Sequence, residues 1–158
     1  MMENYLTLLE ESLQKKLQVL EKIQAYNLRQ QELFQKGNAQ LDRFDEYVAE
    51  KGALIEELTA LDNGFEILYA RVAEELKDNR EKYAQQIKNL QELVAKVTES
   101  GVTIEAQEAR NKQLIENYFS KRQRELKNIR TSSKAAYDYY KNMNNTGQVT
   151  SQYLDRKK

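Results

Sequence analysis

Apolar residues recur in alternating steps of three and four between residues 41 and 97, and this spacing restricts the fold more than any other feature. A repeat of seven keeps one face of a long helix apolar, so that it packs beside another helix with a left-handed crossing. Polar residues at such positions weaken the core but can fix register and partner choice. Thirteen of the seventeen stripe positions are apolar or tyrosine, and the polar ones are Lys51, Asp62, Asn79 and Gln86; the others are Leu41, Phe44, Val48, Ile55, Leu58, Phe65, Tyr69, Val72, Leu76, Tyr83, Leu90, Leu93 and Val97.

The residues before this repeat predict a first amphipathic helix that ends at a glycine turn. Leucines from Leu6 to Leu20 and then Ile23 follow one another in steps of three or four, which places them on one helix face. The chain has no proline and five glycines, so strong helix breakers are nearly absent. The helix should end near Lys36, Gly37 and Asn38, where glycine can adopt a left-handed conformation and asparagine can cap the next helix.

The long remainder must fold back on itself. An unbroken helix from Asn38 to Met143 would extend about 160 Å at 1.5 Å per residue, too long for one chain to bury. Gly64, Asn79 and Gly101 mark three candidate breaks. We favour the second, because Asp78 or Asn79 can cap a helix that begins near Arg80.

The predicted fold is therefore all-α. We expect an elongated antiparallel bundle or coiled coil of three long helices over residues 3–36, 39–77 and 80–143, which form a single domain over residues 1–143. A flexible tail should follow over residues 144–158, where the sequence loses its periodicity and carries turn residues. Four helices, with a break at Gly101, are the alternative.

The composition excludes most catalytic chemistry. Cysteine, histidine and tryptophan are all missing, which removes thiolate nucleophiles, imidazole bases and most transition-metal ligand sets. Glu56 with Glu57 and Glu74 with Glu75 are adjacent carboxylates, but neighbouring helix positions point about 100° apart and do not converge on one atom. We expect no enzymatic activity, no metal site and no cofactor.

The hydropathy predicts a cytoplasmic protein with no membrane insertion. The mean hydropathy is −0.86, and no segment approaches the ~20 consecutive apolar residues that span a bilayer. No charged-then-apolar leader resembles a signal peptide. The absence of cysteine is compatible with a reducing compartment.

The charge is balanced overall but divided along the chain. Residues 1–100 hold 13 basic and 19 acidic residues, whereas residues 101–158 hold 12 and 6. Such a division lets antiparallel helices attract one another, or it marks a basic surface for an acidic partner. A basic run contains a single acidic residue, Glu125, among Lys121, Arg122, Arg124, Lys127, Arg130 and Lys134. Because the run lacks interleaved aromatic residues that stack on bases, we expect no nucleic acid as a partner.

Tyrosines are concentrated near the end of the chain. Tyr137, Tyr139 and Tyr140 lie within four positions, and Tyr153 follows. On a helix Ala136, Tyr140 and Met143 would share one face, with Tyr137 beside it and Tyr139 pointing away. Tyrosine suits a binding surface, because it combines large area with few torsions and a polar tip. The alternative is that Tyr137 and Tyr140 close the bundle against Tyr5 and Leu6.

Four sequence blocks resemble the FlgN-like flagellar export chaperones. These blocks are the leucine-striped first helix with its KGNAQLDRF turn, EKGALIEELTALDNGFEIL, IEAQEARNKQLIE, and the YDYYKN and TSQYLDRKK ending. The resemblance covers most of the chain. Glycines within the helices and the tyrosine-rich ending depart from the family pattern.

The resemblance implies a chaperone for type III secretion in bacterial flagellum biogenesis. Such a protein binds the terminal helices of hook-associated, hook–filament junction proteins and prevents their premature assembly. The implied partners are those proteins and the flagellar export gate. The sequence does not decide between a monomer and a homodimer. The implied client-binding residues are Leu126, Ile129, Ala136, Tyr137, Tyr140 and Met143, and those for the gate are Tyr139, Tyr140 and Tyr153. The alternatives are a structural coiled-coil spacer and a chaperone for another secreted coiled-coil protein.

Overall fold

A computed structural model describes residues 2–37 and 39–126, which form three helices. Helix α1 spans Met2–Gln35, α2 spans Leu41–Asp78 and α3 spans Ala84–Leu126. No strand occurs within these residues. The predicted all-α class with three helices is confirmed. Gly64 lies inside α2 and Gly101 inside α3, so neither breaks a helix.

The first turn forms as the sequence predicts. Gly37 has a φ of 72°, which a side chain bearing a Cβ rarely adopts and which ends a helix in the left-handed conformation. The backbone amide of Phe44 donates to the carbonyl of Gln40 at 3.2 Å in the first turn of α2. The predicted cap, Asn38, lies outside the described residues.

The second turn lies at the favoured KDN stretch, but the predicted role of Asn79 is wrong. Its side-chain Nδ2 donates to the carbonyl of Glu75 at 2.9 Å, so this side chain satisfies the end of α2. Residues 80–83 form turns before α3 begins at Ala84 rather than near Arg80, so Asn79 does not occupy the position directly before the helix, where an N-cap residue lies. The backbone carbonyl of Asn79 accepts from the amide of Tyr83 at 3.2 Å and continues the chain into α3.

The described chain packs as two compact units. Unit 1 contains the described residues of Met1–Lys22 and Leu54–Val102, and unit 2 contains those of Ile23–Ala53 and Thr103–Lys158. Each unit therefore holds one part of each helix. The predicted end of the third helix at residue 143 and the predicted tail over 144–158 lie outside the described residues.

Unit 1 has a mainly aliphatic core in which α1 and α2 run antiparallel. Lys16 Nζ lies 2.7 Å from Asp62 Oδ1, while Leu6 and Leu9, earlier in α1, pack with Val72, later in α2. Asp62, a polar member of the predicted stripe, is thus buried in an ion pair. The cluster is Met2, Leu6, Leu9, Val72 and Tyr83, bordered by Tyr5, Phe65, Leu68, Leu76, Ile87 and Leu90.

Unit 2 has an aromatic core at the end of α1. The ring of Phe34 meets those of Phe44 and Tyr118 edge to face, at centroid distances of 5.2 and 5.3 Å. This arrangement is favoured by the ring quadrupoles. The cluster is Phe34, Ala39, Phe44, Ile115, Tyr118 and Phe119, bordered by Leu33, Leu41, Val48 and Leu114.

None of the helices over the described residues is both long and apolar enough to cross a bilayer.

Candidate functional site

An open groove lies in unit 2 between the end of α1 and the last described turns of α3. Its volume is about 290 Å³. We call it the unit 2 groove. Its lining residues are Phe34, Gln35, Gly37, Leu114, Asn117, Tyr118, Lys121, Arg122 and Glu125.

The floor of the groove is apolar and fixed by the unit 2 core. Phe34 and Tyr118 are buried and Leu114 is half-buried. Tyr118 packs edge to face on both Phe34 and Phe119, which restrains its ring. Because α1 ends at Gln35 and the chain turns away at Gly37, no further turn of α1 covers this floor.

The rim of the groove is polar and carries two cations. Gln35, Asn117, Lys121, Arg122 and Glu125 are all exposed. The Arg122 guanidinium carbon lies 5.7 Å from the centre of the Tyr118 ring, within the range of a cation–π contact. Lys121 and Arg122 form no ion pair within the described residues. The groove therefore combines an aromatic floor with positive charge at its mouth.

A buried polar layer lies elsewhere in unit 2. Lys51 Nζ lies 2.6 Å from Glu108 Oε1 and donates to Gln30 Oε1 at 3.1 Å. The Lys51 side chain is 2% exposed and that of Glu108 is 10% exposed. The contact at Glu108 Oε1 is an ion pair without the alignment of a hydrogen bond. A buried charge is tolerated when an opposite charge and further donors or acceptors surround it.

The same layer joins α1 to α3 through side-chain amides. Asn27 Nδ2 donates to Gln107 Oε1 at 3.1 Å, and Asn111 Nδ2 donates to the Asn27 carbonyl at 2.8 Å. Gln107 Nε2 donates to the Gln24 carbonyl at 3.4 Å. Later residues of α1 thus meet later residues of α3, so the two helices run parallel in this unit. The Asn27 Oδ1 atom is buried without a hydrogen-bond partner.

The adjacent carboxylates of the sequence lie on the surface of α2. Glu56, Glu57, Glu74 and Glu75 are all exposed. No cluster of three carboxylate, imidazole or thiol side chains within the described part of the chain could hold a metal ion.

All but one of the predicted binding residues lie outside the described residues. Leu126 is the last residue of α3. The other predicted client-binding residues, Ile129, Ala136, Tyr137, Tyr140 and Met143, lie outside the described residues. The residues predicted for the export gate, Tyr139, Tyr140 and Tyr153, lie outside them too.

Sequence reasoning missed the groove and most of the polar layer. The stripe of α1 continues from Ile23 through Asn27 and Gln30 to Phe34 in steps of four, three and four. All four residues are buried. The stripe is hidden because two of its members are polar. A search that accepts amides at heptad positions would have extended it to Phe34 and so to the floor of the groove.

Comparison of the chain with protein-family models, with curated proteins and with solved structures found no match in any of the three.

Proposed function

We propose that this protein is a cytoplasmic flagellar export chaperone. It binds the terminal helices of hook-associated, hook–filament junction proteins, prevents their premature assembly and delivers them to the type III export apparatus. The observation that supports the proposal is the unit 2 groove, which α3 carries in its last described turns. Directly after these turns the sequence continues into the segment with the predicted client residues.

A groove of this kind suits recognition of a helix by its apolar side. A partner helix presents anchors at steps of three and four, and these anchors enter hydrophobic depressions on the surface that binds it. Phe34, Leu114 and Tyr118 offer such a depression, and Tyr137, Tyr140 and Met143 offer further apolar surface in the sequence that follows. Ordering a partner segment costs several kcal/mol of the gross contact energy, so a large surface can still release its client.

The terminal tyrosines provide a separate contact for delivery. In this proposal Tyr139, Tyr140 and Tyr153 contact the export gate. Tyrosine is enriched in interface hot spots, which are the residues whose truncation to alanine costs about 2 kcal/mol or more of binding free energy. Loss of Tyr139 and Tyr153 should therefore leave the client bound but undelivered. Tyr140 belongs to both proposed surfaces, so its loss should weaken client binding as well as delivery.

A titration of the full-length chain against purified junction proteins tests the proposal. Fluorescence anisotropy should show saturable binding with a fixed stoichiometry. The variant Y137A/Y140A/M143A should bind the junction protein at least about tenfold more weakly. Tyr69→Ala is the matched control, because Tyr69 is 49% exposed in unit 1 and lies outside the proposed surface. Its affinity should equal that of the wild-type chain.

Hydrogen exchange provides the second readout. Amides of residues 130–158 should gain protection when a junction protein is bound. Equal protection with and without it, or equal affinity of the triple variant, would refute the proposal. A tight oligomer would instead indicate a structural coiled-coil spacer, if it does not bind the junction proteins and if the tyrosine substitutions do not change its stability.

A further inference from the structure

The positive rim of the unit 2 groove continues into a strongly basic stretch of sequence. Lys121 and Arg122 line the groove, and Arg124 beside them is exposed. Residues 121–134 contain six basic residues and one acidic residue. An excess of one sign attracts a ligand of the other sign and suppresses partners of like charge.

The size of the groove restricts what can enter it. Pockets that enclose small ligands and cofactors have volumes of about 300–1,000 Å³, and this open groove, at about 290 Å³, lies just below that range. Its floor of Phe34, Leu114 and Tyr118 is apolar. An apolar side chain from a larger partner therefore suits the floor better than a whole cofactor does.

We infer that the unit 2 groove binds an acidic amphipathic helix of a partner protein. One apolar side chain of that helix packs on Phe34 and Tyr118, and a carboxylate one turn away pairs with Lys121 and Arg122. The inference rests on the proposed function in one respect only, namely that the bound segment of the partner is a helix. The acidic character follows from the rim itself, where Lys121 and Arg122 outnumber Glu125.

Arg122 is the better placed of the two cations. Its contact with the Tyr118 ring restrains the guanidinium at the edge of the apolar floor. A guanidinium offers a planar pair of donors that matches the two oxygens of a carboxylate. Arg122 can then bind an aspartate or glutamate of the partner while a neighbouring apolar side chain of the partner packs on the floor of the groove.

A purely structural role for these cations is the competing explanation. The last turn of α1 contains no basic residue, and cations near a helix C-terminus stabilise its dipole. Lys121 and Arg122 line the groove with Gln35 at that end of α1. The two roles differ in readout: a structural role changes the unfolding midpoint, whereas recognition changes the preference for the charge of a peptide.

Three labelled peptides of about 18 residues, or five helical turns, test the inference on the full-length chain. All carry the same leucine stripe, and the flanking positions are glutamate, glutamine or lysine. We expect the glutamate peptide to bind about tenfold more tightly than the glutamine peptide, as one charged hydrogen-bonded contact allows. The lysine peptide should bind most weakly, and added salt should reduce the advantage of glutamate.

Substitutions at the rim connect the preference to the groove. K121Q/R122Q should remove the advantage of glutamate, and K121E/R122E should reverse it in favour of the lysine peptide. Arg122→Lys keeps the charge but loses the planar pair of donors, so it should retain only part of the advantage of glutamate. R71Q/K77Q removes the same number of charges from exposed positions in unit 1 and should leave the preference intact.

Several outcomes would overturn the inference. They are equal binding of the three peptides, a preference that survives in K121Q/R122Q, and a loss of the preference in R71Q/K77Q as large as that in K121Q/R122Q. A single-stranded oligothymidine that displaces the glutamate peptide at lower concentration would assign the basic stretch to nucleic acid. A wild-type dimer that K121Q/R122Q dissociates in sedimentation would assign the groove to a second copy.

The tests of the two proposals fail separately. If junction proteins bind but the peptides show no charge preference, the inference about the groove is wrong and the proposed function stands. If the peptides show the preference but no junction protein binds, the proposed function is wrong and the groove still recognises acidic helices.

Discussion

Unit 1 and unit 2 are built from the same three helices but bury different chemistry. The unit 1 cluster is aliphatic apart from Tyr83, with the Lys16–Asp62 pair farther along α1. Unit 2 buries three phenylalanines and Tyr118 as well as a layer that contains Lys51, Glu108 and side-chain amides. Aliphatic contacts are non-directional, whereas the amide and ion-pair contacts require particular atoms to meet.

This difference bears on where the groove lies. A polar residue in a helical core restricts the helices to alignments in which its partners are present. Asn27, Gln107 and Asn111 impose that restriction between α1 and α3. Phe34 and Tyr118, on the same two helices, are thereby held at a defined separation. We interpret the polar layer as the device that keeps the floor of the unit 2 groove in one shape.

The largest effect should come from breaking the charged pair in unit 2. Lys51→Met leaves Glu108 buried without its cation and should lower the free energy of unfolding by about 3–5 kcal/mol. K51M/E108L should recover most of that loss, because a buried ion pair and an apolar pair of similar volume are often of comparable stability. Urea denaturation measures both variants. Lys112→Met, on the exposed side of α3, is the control and should change little.

A loss below 1 kcal/mol for Lys51→Met would contradict the view that unit 2 depends on this layer. Failure of the double variant to recover would instead show that the remaining amides need the charged pair. Either result would change the comparison between the two units.

A smaller effect should come from removing apolar volume in unit 1. Leu9 is fully buried, so Leu9→Ala removes its transfer free energy and leaves a cavity, with an expected loss of about 3 kcal/mol. Leu9→Met conserves volume and should lose less than about 1.5 kcal/mol. Urea denaturation again gives the values. If both variants unfold alike, packing at this position does not determine the stability of unit 1.

The smallest effect should be a gain at two helix glycines, one in each unit. A Cβ added at Gly52 or Gly64 meets no atom within 4 Å, and alanine favours a helix over glycine by about 0.5–1 kcal/mol. Gly52→Ala and Gly64→Ala should each raise the free energy of unfolding by that amount. Gly37→Ala is the opposite control, because a φ of 72° strains any residue with a Cβ.

Equal gains at Gly52 and Gly64 are expected because helix propensity at an exposed site does not depend on the core beneath it. Unequal gains would show that the two units contribute differently to the measured transition. The thermal midpoints of the three glycine variants therefore sharpen the comparison without disturbing either core.

Much of the fold could be predicted because it depends on local pattern. The heptad steps placed Lys51 and Asp62 on the buried stripe, and both are buried in ion pairs. The same pattern placed Tyr69 and Asn79 there, yet Tyr69 is 49% exposed and Asn79 is exposed just after the end of α2. Periodicity predicts which face of a helix is apolar, but the neighbouring helices determine which residues of that face are buried.

The site was harder to predict because it depends on pairs of residues distant in sequence. The unit 2 groove needs Phe34 beside Tyr118, and the polar layer needs Lys51 beside Glu108. Neither pair shares a motif. The predicted client residues came from the resemblance to the chaperone family, and apart from Leu126 they lie outside the described residues, so they stay predictions.

The position of Gln35 at the mouth of the groove offers a direct spectroscopic handle. The natural chain has no cysteine, so the single variant Gln35→Cys would accept a thiol-reactive fluorophore at one place, with no background labelling. An environment-sensitive dye there would change its emission whenever a partner displaces water from the aromatic floor. Occupancy of the groove could then be followed in real time, in crude mixtures as well as with purified components.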